Sequence, residues 1–175
     1  MRLAPLIAAL GATSILALPA ASAERRTPTT FSLSARQARE TSVTVAFIAA
    51  FNARRLGPAL DLLSPHVSVT DCDYRNVQAV SFDGRHEVTR WLRRRFADRD
   101  RLTPTRIFNE NPSQPVGAVG VEYRRRSSNT LRALGFPAGI VPKLASKVVF
   151  TAQPVRIRVF ANGPVGGDSN LCRPT

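Results

Sequence analysis

The chain has 175 residues, 43% of them hydrophobic and 21% charged, which excludes a disordered tail or a fibrous repeat and fits one domain with at most a short appendage. Lysine and arginine total 25 against 12 acids, a formal charge of +13. With two histidines and two cysteines, a four-ligand zinc site would need carboxylates to complete it; no metal and no cofactor are expected.

Residues 1–23 carry one charge, Arg2, then an apolar run from Leu3 to Leu18, then Pro19 and Ala21-Ser22-Ala23. A positive start, an apolar middle and a small-x-small exit describe a cleavable secretory signal. The run approaches the length of a membrane span, but Gly11, Pro19 and the small exit residues favour cleavage before Glu24. No arginine pair precedes the run and no cysteine sits at the cut, so the expected route is general export without a lipid anchor. Arg2 leaves with the signal, and the mature chain carries +12. It is expected to be secreted or held in the periplasm or cell envelope. In an oxidising compartment Cys72 and Cys172, the only cysteines, are expected to pair. That bond closes a loop of about 100 residues, worth about 4–5 kcal/mol in the chain-entropy model.

Residues 24–34 hold Thr27-Pro28-Thr29-Thr30 and few apolar side chains and read as a flexible leader. From Ala35 to Ala53 the pattern is helical: Val43, Phe47 and Phe51 fall four apart, and Ile48 widens the stripe. A second, short helix is predicted from Gly57 to Leu63, with Leu60, Leu62 and Leu63 buried and Ser64-Pro65 ending it. Val67, Val69, Asp71 and Asp73 alternate with Ser68, Thr70 and Cys72 in strand spacing; Tyr74 to Asn76 turn the chain into a second strand, Val77 to Phe82. Asp83-Gly84 opens a helix with Val88, Trp91, Leu92 and Phe96 on one face and Arg90, Arg93, Arg94 and Arg99 mostly elsewhere. A strand from Leu102 to Asn109 follows, which Pro104 assigns to a sheet edge. Three more strands share faces through Val119, Val121 and Tyr123, through Val148 and Phe150, and through Val155, Ile157 and Val159. Helices and strands segregate, so an α+β domain with an antiparallel-rich sheet is predicted over residues 35–162. Residues 163–175 form a C-terminal tail tethered through Cys172.

Two stretches carry a family resemblance: Phe47-Ile48-Ala49-Ala50-Phe51-Asn52-Ala53-Arg54-Arg55-Leu56, and Ala59-Leu60-Asp61-Leu62-Leu63-Ser64-Pro65-His66-Val67-Ser68-Val69-Thr70-Asp71. With Phe82-Asp83-Gly84-Arg85 entering a helix, the chain resembles the nuclear transport factor 2-like superfamily in its SnoaL-like branch. The resemblance implies a cone: a curved mixed sheet of about six strands wrapped around a long N-terminal helix, with two further helices and an apolar pocket at the open end. Members include ketosteroid isomerase, polyketide cyclases, epoxide hydrolases and proteins that only bind. Asp71 falls where the isomerases keep their general base, and its strand parity with Val67 and Val69 turns it inward. A carboxylate facing an apolar cavity is expected to titrate nearer neutrality. The isomerase tyrosine of the first helix is replaced by Phe47, and Lys147-Val148-Val149-Phe150 offers no acid; isomerase activity itself is not expected. The paired acids and arginine of the epoxide hydrolases have no counterpart in the last two strands, which hold neither Asp nor Glu.

Phe47, Phe51, Tyr74, Trp91, Tyr123 and Phe150 read as pocket lining or as core. Glu122 reads as a solvated position, paired with Arg124 or Arg126. Asp71-x-Asp73 alone is too poor in oxygen ligands for calcium. The segment 127–142 is long for a hairpin and carries Leu131, Leu134 and Phe136, which mark it as a lid over the cone, as sheet packing or as a subunit contact. Arginine supplies 23 of the 25 cations, and the runs Arg93-Arg94-Arg95 and Arg124-Arg125-Arg126 read as charges meeting water. No nucleic-acid partner is expected; weak contact with an anionic surface stays open, as does monomer against homodimer. The favoured function is non-catalytic binding of a small apolar molecule or a partner. The alternatives are a SnoaL-like isomerase or cyclase with Asp71 as base, and electrostatic attachment to an anionic envelope surface.

Overall fold

The computed structural model describes residues 29–73, 78–110, 117–126 and 143–164. Residues 1–23, expected as a signal, together with Tyr74, Leu131, Leu134, Phe136 and the residues around Cys172, lie outside the described residues. No helix among the described residues is long and apolar enough to cross a membrane.

Helix α1, Thr29–Asn52, starts six residues before the predicted Ala35. Nothing between Thr29 and Ser34 is Pro or Gly, so polarity alone does not stop the helix there. Its buried side is Glu40, Val43, Thr44, Phe47, Ile48, Ala50 and Phe51. The helix closes in a Schellman turn. Arg54 takes φ 56, while the N–H of Arg54 donates to Phe51 O at 3.0 Å and that of Arg55 to Ala50 O at 2.9 Å.

Helix α2 is Leu56–Asp61, shorter than the predicted Gly57–Leu63, because Leu63 already belongs to strand β1, Leu63–Asp73. Ser64-Pro65 does not end the helix, which stops at Asp61 with Leu62 as its cap; both residues stand inside the strand. Pro65 lies in the irregular stretch between Leu63 and Ser68 where the pairing of β1 shifts register, which is where a strand tolerates a missing N–H. Strand β2, Gln78–Asp83, pairs antiparallel with β1 and leads into helix α3, Gly84–Ala97. Gly84 at φ 75 makes that entry, a conformation other residues adopt at a cost. Strands β3 (Arg101–Asn109), β4 (Ala118–Arg126), β5 (Lys143–Phe150) and β6 (Ile157–Pro164) complete one six-stranded sheet of order β2-β1-β6-β5-β4-β3.

Only the β1–β6 pair is parallel, so the sheet is mixed and open. β3, with Pro104, is one edge and β2 the other. The inner face packs on α1 through β3 and β4, and on α3 through β1 and β2. One parity expectation fails in β6. Ile157 and Phe160 are both buried, at 0% and 1% exposure, while Val159 is only half-buried. An irregularity between Val149 and Phe150 pairs Phe150 with Ile157 but Val149 with Val159. The extra residue, Arg158, resets which side chains face the core.

Candidate functional site

Three local rules bring a buried ion cluster together at the end of the sheet where 74–77 and 127–142 leave it. Strand parity turns Val67, Val69 and Asp71 of β1 inward, and likewise Val119, Val121, Tyr123 and Arg125 of β4. Helical spacing gives Val88, Trp91, Leu92 and Arg95 one inward face on α3. Each of these side chains is buried. A second Schellman turn ends α3: Arg99 takes φ 54, and Asp100 N–H donates to Arg95 O at 3.0 Å. That turn sets Asp100, 0% exposed, beside Arg125.

Arg125 clamps Asp71 with two bonds, Nη1 to Oδ1 at 2.5 Å and Nη2 to Oδ2 at 3.1 Å. Its Nε and Nη2 also donate to Asp100 Oδ2, at 3.0 and 2.6 Å. Arg95 Nη1 reaches the same oxygen at 3.4 Å, and Arg95 Nη2 lies 3.4 Å from Asp98. Asp71 receives two further donors, the Cys72 N–H on Oδ1 at 2.9 Å and the Trp91 indole N–H on Oδ2 at 2.7 Å.

Burial would push the Asp71 carboxyl up. The charge and hydrogen bonds of Arg125, then the charge of Arg95 and the Trp91 N–H, outweigh that and hold it below its ordinary value. This corrects the expectation of a group poised near neutrality. Four donors occupy both oxygens, so the ionised carboxylate has no lone pair turned toward a substrate proton. An acid–arginine–acid arrangement is therefore present, although the last two strands lack acids: its members come from β1, the α3–β3 turn and β4. The arginine runs also need correction. Arg95 and Arg125, at 8% and 2% exposure, are core members and not solvated charges.

Beside the ion cluster runs a row of inward polar side chains. Ser146 of β5 pairs with Asn162 of β6, and continuing the β1–β6 register past Thr70–Ala161 sets Asp71 next in line. Asn162 Oδ1 accepts from the Tyr123 hydroxyl at 2.7 Å and from the Ser146 hydroxyl. Among the described residues, Asn162 Nδ2 has no hydrogen-bond partner.

The expected pocket residues Phe47, Phe51, Trp91, Tyr123 and Phe150 are all core, at 0–2% exposure. Phe47 meets Phe160 edge-on at 5.2 Å between ring centroids, and Phe51 lies 5.9 Å from Trp91 and 5.6 Å from Phe96. Cys72 is 4% exposed on the face opposite Asp71. Glu122 pairs with Arg106 at 3.5 Å, not with Arg124 or Arg126. A groove of about 660 Å³ lies apart from the cluster, on the outer side of α1, lined by Gln37, Thr41, Val45 and Ala46 with Asn109. Sequence reading missed Arg125, Asp100, Arg95, Asn162 and Ser146 as site members. The parity of Arg125 with Tyr123 and the i+4 spacing of Arg95 from Trp91 were the signals present.

No family model matches the chain, and no curated protein matches it. Solved structures do. The Anabaena (Nostoc) sp. PCC 7120 Orange Carotenoid Protein binding canthaxanthin is 15% identical with TM-score 0.57, over 75% of this chain but 38% of its own. The epoxide hydrolase/cyclase-like enzyme SalBIII is 9% identical with TM-score 0.57, over 72% of this chain and 90% of its own. A Streptomyces avermitilis protein of the nuclear transport factor 2-like family is 16% identical with TM-score 0.56, over 71% and 92%. This chain thus spans well under half of the carotenoid protein and nearly all of the other two. What they share with it is the fold.

Proposed function

On a nuclear transport factor 2-like fold, we propose that the chain is an exported, non-catalytic binding domain that holds a small apolar molecule in the cone, against the polar row of Asn162, Ser146 and Tyr123. The observation that carries this reading is the asymmetry between the two inward polar groups. Asp71 is saturated by four donors, whereas the Asn162 amide keeps an unpartnered donor among the described residues. An apolar interior with a few placed polar atoms is what a small ligand needs for orientation. Export through residues 1–23 and a Cys72–Cys172 bond belong to the same proposal; burial of Cys72 on the outer face supports a covered outer face there. An intact mass lower than the reduced chain by two hydrogens would establish the bond.

Trp91 is the chain's only tryptophan, and its indole N–H is bonded to Asp71, so its emission reports on this site. Titration of the full chain with an apolar polarity-sensitive dye should shift that emission, and native mass spectrometry of protein purified from its source should find a small molecule bound. Unchanged emission together with a ligand-free mass would contradict the reading. The enzyme alternative requires Asp71→Asn to abolish a turnover that the wild type shows while leaving the fold intact. The saturated carboxylate argues against it.

A further inference from the structure

We infer that the outer face of β3, β4 and β5, at the end carrying Arg101, Arg124, Arg126 and Lys143, is a docking surface for an anionic phospholipid bilayer. All four side chains are exposed. The register sets Arg101 directly across from Arg126, and Arg124 directly across from Lys143. Like charges opposed on neighbouring strands destabilise a sheet, so this face carries a built-in cost that an anion relieves. Among the described residues, none of the four has an acidic partner.

The other half of the same face shows that the fold can neutralise such charges. There Arg106 meets Glu122 at 3.5 Å and Lys147 meets Glu110 at 3.0 Å, and Arg106 stacks over the Phe108 ring at 4.6 Å. Protection of an edge strand accounts for a charge on β3. It does not account for Arg124, Arg126 and Lys143, which stand on the interior strands β4 and β5.

The chemistry of the four heads selects phosphate. A guanidinium offers a planar fork that binds phosphate oxygens with two bonds, and the exposed Thr103, paired opposite Arg124, adds a hydroxyl between them. The cations spread over three strands about 4.8 Å apart, in two dimensions, as a plane of headgroups requires. Duplex DNA presents its phosphates along a rod and its sequence in grooves that need an inserted element, whereas these four cations are laid out across three neighbouring strands. A bilayer is therefore the occupant.

The test is co-sedimentation of the full chain with phosphatidylcholine vesicles, with and without phosphatidylglycerol as the anionic lipid. The neutral vesicles measure any charge-independent attachment. Binding is expected on the anionic vesicles only and should fall steeply with added salt. Replacing Arg101, Arg124 and Arg126 together by Gln should weaken the partition on the order of a hundredfold, about fivefold for each cation near the surface. A control with the same charge change, Arg39→Gln, Arg55→Gln and Arg93→Gln, uses exposed cations scattered over α1, the α1–α2 turn and α3 and should retain most of the binding. Equal loss in the two variants, undiminished binding in the first, or equal binding to neutral vesicles would overturn the proposal. So would duplex DNA that strips the protein from vesicles at a lower phosphate concentration than the lipid presents. Thermal melts of both variants at the wild-type value guard against unfolding; should the triple variant melt early, the single Lys143→Gln must still lower the anionic partition about fivefold.

Discussion

The two faces of β4 put the same residue type to opposite uses. On the inner face Arg125 is 2% exposed and bonded to two aspartates; its immediate neighbours Arg124 and Arg126 point out to water and face other cations. Inside, a guanidinium is tolerated because Asp71 and Asp100 compensate it and Arg95 balances the second acid. Outside, solvent screens the repulsion, so unmatched charge is cheap. What separates a structural arginine from a surface one in this chain is a single step of strand parity.

The largest effect is expected inside the sheet. Arg125→Met leaves Asp71 and Asp100 as buried charges with their main cation gone, and chemical denaturation should show a loss of about 3–5 kcal/mol. A loss no larger than that of a surface arginine would mean that the ion cluster does not hold the fold together.

Acid should act on the same cluster. The folded value of Asp71 is depressed, so its stabilisation is fully present above the unfolded carboxylate value of about 3.9. It is lost as pH falls through the lower folded value. The stability gap between wild type and Asp71→Asn should therefore be widest near neutrality and close in strong acid, as read from denaturation midpoints along a pH series. A gap that widens on acidification would contradict the direction of the shift.

The outer face has its own tight spot. A Cβ on Gly120 would stand 2.4 Å from the far end of the Phe108 ring, so Gly120→Ala should cost about 1–3 kcal/mol as the ring is displaced. The smallest effect is expected at Arg124→Gln. It removes one like-charge pair, with Lys143, and should leave stability within about 0.5 kcal/mol of wild type, on the favourable side. A clear loss there would mean that the outer cations have partners after all.

Much of this molecule could be read from its sequence, and the failures share one cause. The apolar spacing of Val43, Phe47 and Phe51 and the alternation through Val67 and Val69 were sufficient to place α1 and β1, and Pro104 marked the edge strand. Pattern reading weighs residue types before positions, however, so three consecutive arginines read as solvent-facing even where parity puts the middle one in the core. Asp71 was placed correctly but given the wrong electrostatics, because its compensating charge lies 54 positions further on, which no local window sees. The bulge at Arg158 and the early start of β1 at Leu63 escaped for a related reason: both are set by pairing with distant strands. The arrangement of Asn162, Ser146 and Tyr123 needs the register of three strands at once.

With Arg125, Trp91 and the backbone donating to both its oxygens, the Asp71 carboxylate is held in its ionised form. An NMR titration following the Asp71 side-chain carboxyl carbon measures this most directly. The midpoint should fall below that of an ordinary aspartate, with Arg125→Met moving it upward. A midpoint above the ordinary value, toward neutrality, would contradict the claim and return Asp71 to the role of a base.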